Sequence, residues 1–103
     1  MTTAREHEPV PESVVPQVSS YLRAIAHATR LRLVEHLGEG DATARDLACR
    51  VGLSDSNVTR HLQALYALGV ANRTLRRGRF VYSLADQTAL ELLDRVAAHF
   101  VDG

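Results

Sequence analysis

Polar side chains crowd the first turns of one short stretch, Leu53 to Val70: Asp55, Ser56, Asn57, Thr59, Arg60 and Gln63. They are short hydrogen-bond donors and acceptors with one guanidinium, the groups that meet base edges in a major groove. A helix is predicted to carry them. Ser54 is a suitable N-cap, because its hydroxyl can accept from a free N–H of the first turn. Val58, Leu62, Leu65 and Leu68, at spacings of four, three and three, form one apolar stripe, and Gly69 can take the positive φ that stops a helix. Such a helix could enter a groove N-terminus first, or could be an amphipathic surface helix with a polar outer face; the stretch by itself fits both.

A second cluster follows. Arg76, Arg77 and Arg79 crowd the sequence around Gly78. Phe80, Tyr82 and Leu84 alternate with period two, and Ala71, Arg73 and Leu75 would share one face of the run before them. Arg77-Gly78 then sits between two strands as a hairpin turn. A basic hairpin directly after a polar helix has the form of a wing, able to lie along a phosphate backbone or reach a minor groove. A solvated edge hairpin is the simpler alternative, which the adjacent helix disfavours.

Charge follows the same division. The net charge is zero, yet residues 1–55 hold six Arg and eight acids, residues 56–85 hold five Arg and no acid, and residues 86–103 hold one Arg and four acids. Phosphate responds to local charge, so only the segment with the helix and hairpin suits a nucleic acid.

The remaining elements must position these groups. Residues 1–15, with Pro9 and Pro11, read as a flexible arm that includes His7. Residues 16–103 read as one domain. Pro16 to Ala26 is a first helix with Val18, Tyr21, Leu22 and Ile25 apolar. Thr29 is the expected cap of a second helix ending at Gly38, with Leu31, Leu33, Val34 and Leu37 inward. Thr43 is the expected cap of a third, with Leu47, Ala48 and Val51 inward and Gly52 at its end. The third helix, a short turn and the polar helix make a helix-turn-helix pattern. Asp86 is positioned to cap a last helix, from about Gln87 to Val101, with an apolar stripe of Ala89, Leu90, Leu93, Val96, Ala97 and Phe100. A stripe this wide in a chain of 103 residues asks for a partner surface, and the same helix of a second copy would supply it. Tyr21, Leu90, Leu93, Ala97 and Phe100 are the expected dimer contacts.

Composition bounds the alternatives. With 46% hydrophobic residues the chain is not of the disordered class. One cysteine, Cys49, excludes an intramolecular disulfide framework. No apolar run reaches a membrane span and no signal-peptide pattern is visible, so no membrane partner and a cytoplasmic location are expected. An enzyme is not expected: there is no phosphate-binding Gly-rich loop, and Cys49 and the hydroxyls lack a base at a recognisable spacing.

The residues LRAIAHATRLRLVEHL, ARDLACRVGLSDSNVTRHLQALYALGV and RRGRFVYSL, in the order helix, helix, helix, recognition helix, hairpin, helix, resemble the ArsR/SmtB family of bacterial winged-helix regulators. The resemblance covers roughly residues 18–101. It implies a mainly α fold with a β-hairpin wing, a winged helix-turn-helix forming a homodimer through its terminal helices, and a repressor of operator DNA released by an inducer. It implies that Ser54, Ser56, Asn57, Thr59 and Arg60 face double-stranded DNA, with Gln63 beside them, while Arg77 and Arg79 serve the wing. His61, in the same run, is expected to pack or hydrogen-bond within the protein.

The resemblance also implies a possible ion. Thiolate sites of the family use a cysteine pair near the third helix; here Thr43 and Arg45 stand at those places and Cys49 is alone, so a soft-metal site is not expected and Cys49 is read as a small buried residue. The family's fifth-helix nickel, zinc and cobalt sensors follow Asp-x-His, ten residues, then His-x-x-Glu or His. Asp86, Thr88, His99 and Asp102 occupy those positions, and Thr88 is a poor ligand. On a helix Thr88 and His99 differ by about 20° and Asp102 lies about 40° to the other side, but Thr88 and His99 are about 16 Å apart along the axis. Two antiparallel helices of a dimer could place Asp86 of one copy near His99 and Asp102 of the other, with His7, water or a backbone group completing the shell around Ni2+ or Zn2+. The same residues also read simply as a helix cap, a surface histidine and a frayed terminus. A winged-helix regulator with no metal, answering to a protein co-regulator or small molecule, therefore stands as the alternative.

Overall fold

Side chains that accept backbone N–H groups decide where most helices of this chain begin. The computed structural model describes residues 7–101. After a 3-10 turn at Glu12–Val14 come α1 (Val15–Ile25), α2 (Ala28–Glu39), β1 (Ala42–Thr43), α3 (Ala44–Val51), α4 (Asp55–Ala67), β2 (Ala71–Arg76), β3 (Arg79–Leu84) and α5 (Thr88–Val101). Thr43 and Asp46 form a reciprocal capping box on α3, and the Asp46 carboxyl is held below its usual range by the Thr43 backbone N–H first and the Thr43 hydroxyl second. The Ser54 hydroxyl accepts from the Asn57 N–H at 3.2 Å, and Asp86 accepts from the Thr88 N–H at 2.8 Å.

Helix α1 is shifted by one residue from the expected Pro16–Ala26, and both boundaries of α2 differ from the sequence expectation. Thr29 does not cap α2; His27 does, its Nδ1 accepting from the Thr29 N–H at 3.1 Å. Nor does α2 stop at Gly38. It continues to Glu39, and Gly40 follows. Gly38 serves a close approach instead: a Cβ there would lie 2.6 Å from Leu90 Cδ1. The missing side chain lets α5 settle against α2 through Leu90.

The core is shared by all layers. Ala24, Leu33, Val34, Leu47, Val58, Leu62 and Leu65 are fully buried, as is Tyr82 from β3. Leu68, expected on the α4 stripe, is 39% exposed because α4 has ended at Ala67. Cys49, expected to be buried, is exposed on α3, since Leu47 and Ala48 already occupy that helix's inward side.

β2 and β3 pair antiparallel from Ala71↔Leu84 to Arg76↔Arg79. Arg77 and Gly78 take φ of 49° and 79°, the primed turn whose twist matches a two-residue hairpin. β1 has no counterpart among the elements expected from the sequence. Its residues pair with β3, Ala42↔Tyr82 and Thr43↔Val81, giving the order β1-β3-β2. This short strand leads straight into α3, so the wing is tied to the start of the helix-turn-helix. None of the described helices is long and apolar enough to cross a membrane.

Candidate nucleic-acid interface

Burial phases α4. Val58, His61, Leu62 and Leu65 face inward, so Ser56, Arg60 and Gln63 lie opposite them and are exposed. Ser54 is exposed at the cap, its hydroxyl 3.3 Å from that of Ser56. Thr59 and Asn57 stand on the two shoulders, half-buried. The Asn57 Oδ1 is buried and has no hydrogen-bond partner among the described residues.

The wing stands beside this face. A cleft of about 380 Å³ is lined by Thr43, Ala44 and Arg45 from the α3 start, Asp55 and Thr59 from α4, and Arg79, Phe80 and Tyr82 from β3. Arg79 is thus brought near the first turns of α4, while Arg76 and Arg77 stay exposed at the tip. Arg45, weighed from the sequence only as standing where a thiolate ligand would be, adds a cation to this cleft; its signal is its place in the first turn of the helix preceding α4.

Behind the helix, His61 accepts a hydrogen bond from Arg30 Nε through Nδ1 at 3.2 Å. The His27 ring lies against it, centroids 4.6 Å apart. Burial, then the neighbouring His27, Arg30 and Arg60, lower the His61 pKa. The neutral imidazole is therefore the form the fold accepts. A histidine whose folded pKa lies below its unfolded value of about 6.5 takes up its proton more readily when unfolded. Its contribution to stability is complete above pH of about 6.5 and is lost as pH falls toward the folded value. Melting temperature should fall between pH 7.5 and 5.5, and His61→Gln, which keeps an acceptor for Arg30, should show a smaller fall. Equal falls would remove His61 as the cause.

The residues expected around an ion are dispersed within one chain. Asp86 lies before α5 and His99 near its end, about 20 Å apart along the helix axis. The Asp86 carboxyl is held below its usual range by the Thr88 hydrogen bonds, and Asp86 together with burial raises the Tyr21 hydroxyl, burial having the larger effect. The His99 ring meets Phe100 edge-on at 4.9 Å. Asp102 lies outside the described residues, and His7 is exposed. Among the described residues of one chain, no three His, Cys, Asp or Glu converge on a common point. His36 pairs with Glu39, at 3.2 Å.

Of the expected dimer contacts, Tyr21, Leu90 and Leu93 are half-buried against their own core, whereas Ala97 and Phe100 are exposed.

The family model described as "Bacterial regulatory protein, arsR family" matches residues 27–73, from the α2 cap through the recognition helix into β2. The HTH-type transcriptional regulator NmtR of Mycobacterium tuberculosis is 33% identical over 92% of this chain and 79% of its own length. The chain belongs to the arsR family. Another relative of this arsR-family protein, the transcriptional repressor SdpR of Bacillus subtilis, is 30% identical over 72% of the chain and 81% of SdpR. The fold is shared with the homodimeric winged helix-turn-helix DNA-binding domain of Mb0332 from Mycobacterium bovis, with a TM-score of 0.75, 25% identity, and coverage of 84% of this chain and 82% of that one. This arsR-family chain is accordingly a DNA-binding transcriptional regulator with a winged helix-turn-helix fold, and not an enzyme.

Proposed function

We propose that the chain acts as a homodimeric repressor in the cytoplasm, with operator affinity controlled by a divalent ion, nickel or zinc, at the pairing of its α5 helices. The observation that carries this reading is the outer surface of α5. Val96, Phe100 and Val101 are 48%, 77% and 82% exposed, and His99 lies about 60° from Val96 around the helix. A second copy covering the apolar residues would bring His99 to the rim of the contact. An apolar cleft of about 390 Å³ between α1 and α5, lined by Gln17, Val18, Tyr21, Leu22, Thr88 and Leu92, offers a seat for a partner's side chain. The Mb0332 domain is homodimeric and SdpR is a repressor, in keeping with the dimer and the repression in this reading.

In this reading Ser54, Ser56, Asn57, Thr59, Arg60 and Gln63 meet the major groove, and Arg77 and Arg79 meet the backbone beside it. The donor chemistry fits a borderline divalent ion in part: an exposed imidazole, an ionised Asp86 and the carboxylate of Asp102 are suitable, and Thr88 offers only a hydroxyl. A bound ion would supply a cross-link between the helices. The chain's own contribution is the rigid connection from α5 through Leu90 and Gly38 to α2, and from α2 through the core to α4. A fixed α5 pairing would thereby fix the spacing of two recognition helices.

The metal-free regulator, answering to a protein co-regulator or a small molecule, is favoured by one specific observation: Asp86 already accepts the Thr88 N–H, in the role of a helix cap. Calorimetric titration of nickel and zinc separates the two. The metal reading expects saturation near one ion per subunit, weakened in His99→Ala by more than the roughly 10–100-fold that loss of an outer-shell partner costs. No saturable binding, or binding untouched by the substitution, would leave the metal-free regulator.

A further inference from the structure

Arg73 stands apart from the other arginines of the basic segment. It lies on β2, opposite Tyr82 in the hairpin register, and is half-buried where Arg76, Arg77 and Arg79 are exposed. Its guanidinium carbon is 4.2 Å from the centroid of the Tyr66 ring on α4 and 4.3 Å from that of the Phe80 ring on β3. Among the described residues it makes no ion pair with a carboxylate. Phe80 in turn lies 6.4 Å from the buried ring of Tyr82. A cation close to two aromatic rings is attracted by both, and the fixed plane of guanidinium suits stacking better than an ammonium does.

We propose that Arg73 is a positioning residue that clamps the wing to the recognition helix through Tyr66 and Phe80, so that the wing arginines and the α4 polar face meet DNA at one fixed angle. Toward the hairpin tip the side chains stand open, Leu75 63% exposed and Phe80 42%. Phe80 also lines the cleft that Thr59 and Arg79 share, so the clamp sits next to a wing arginine and the first turns of α4. The clamp rests on the DNA-facing reading of α4 and the wing, but its geometry is present without DNA.

The test uses a fluorescein-labelled duplex of about 30 bp, selected by the wild-type protein from a random library and long enough for two half-sites. Arg73→Met should weaken binding roughly 10-fold with the salt slope unchanged, because a clamp releases no counterion of its own. Arg73→Lys should restore part of the loss. In the DNA-free protein, the heteronuclear 15N NOE of Gly78 and Arg79 should drop in Arg73→Met. Tyr66→Leu, which keeps the cation, should give the same signature and add little to Arg73→Met, as partners in one interaction do. A slope reduced by about 0.9 for each Arg73 removed would make Arg73 a phosphate contact and overturn the proposal. Unchanged wing NOEs, or fully additive losses, would also overturn it. Failure of the wild-type protein to select any duplex would instead count against the DNA reading, while the NOE comparison still decides the clamp.

Discussion

Arg77→Ala combined with Arg79→Ala will weaken binding to a selected duplex by on the order of 10²-fold at 0.1 M salt and flatten its salt dependence. Each phosphate contact contributes about 0.9 to the slope of log K against log salt, and a dimer loses two arginines from each wing. The structure sharpens the expectation. Arg77 is exposed at the hairpin tip in a positive-φ turn, and Arg79 lines the cleft against Thr59 and Asp55. Neither ion-pairs with a carboxylate among the described residues, so removal should leave no orphaned partner and little change in melting temperature. Fluorescence anisotropy across a salt series reads both quantities. An unchanged slope would mean that the wing stands clear of the backbone.

Val96→Asp combined with Phe100→Asp should give a folded monomer whose operator affinity is lower by roughly 10²–10⁴-fold, the avidity gained when two modules engage linked sites. Both side chains are exposed in the single chain, so the carboxylates stay hydrated in the monomer and its core is undisturbed. In a dimer with these residues covered, four carboxylates would be buried without partners, a cost that excludes association. Sedimentation equilibrium reads the oligomeric state, and circular dichroism the fold. A variant that still dimerises would place the subunit contact elsewhere than this side of α5.

Both predictions start from features legible in the sequence. The α4 stripe of Val58, Leu62 and Leu65 is an effect of 3.6-residue periodicity, and each member is fully buried. Thr43, Ser54 and Asp86 accept N–H groups two or three residues away. Arg77-Gly78 makes a tight turn because the next residues in either direction alternate as strands. These are short-range relations, in which residue type and spacing contain the whole physical cause. The arsR-family model matches residues 27–73, which hold the Thr43 and Ser54 caps and the α4 stripe in order.

What tertiary structure alone decided involves residues distant in the chain. His61 reads in the sequence as a histidine that packs or hydrogen-bonds within the protein; its stacking with His27, with Arg30 donating to it, depends on how α2 crosses α4. Gly38 reads in the sequence as a helix stop, and only the approach of Leu90 from α5 shows what its missing side chain permits. The pairing of Ala42–Thr43 with β3 joins residues some forty positions apart, and a two-residue strand carries no periodicity to announce it. Arg73 reads in the sequence as a strand residue and a positive charge, and only the fold brings the Tyr66 and Phe80 rings to its guanidinium. Sequence determines local conformation through steric and hydrogen-bond preferences acting over a few residues. Which face of each element finds which neighbour is settled by packing of the whole core, and the candidate DNA interface takes its geometry from that second level.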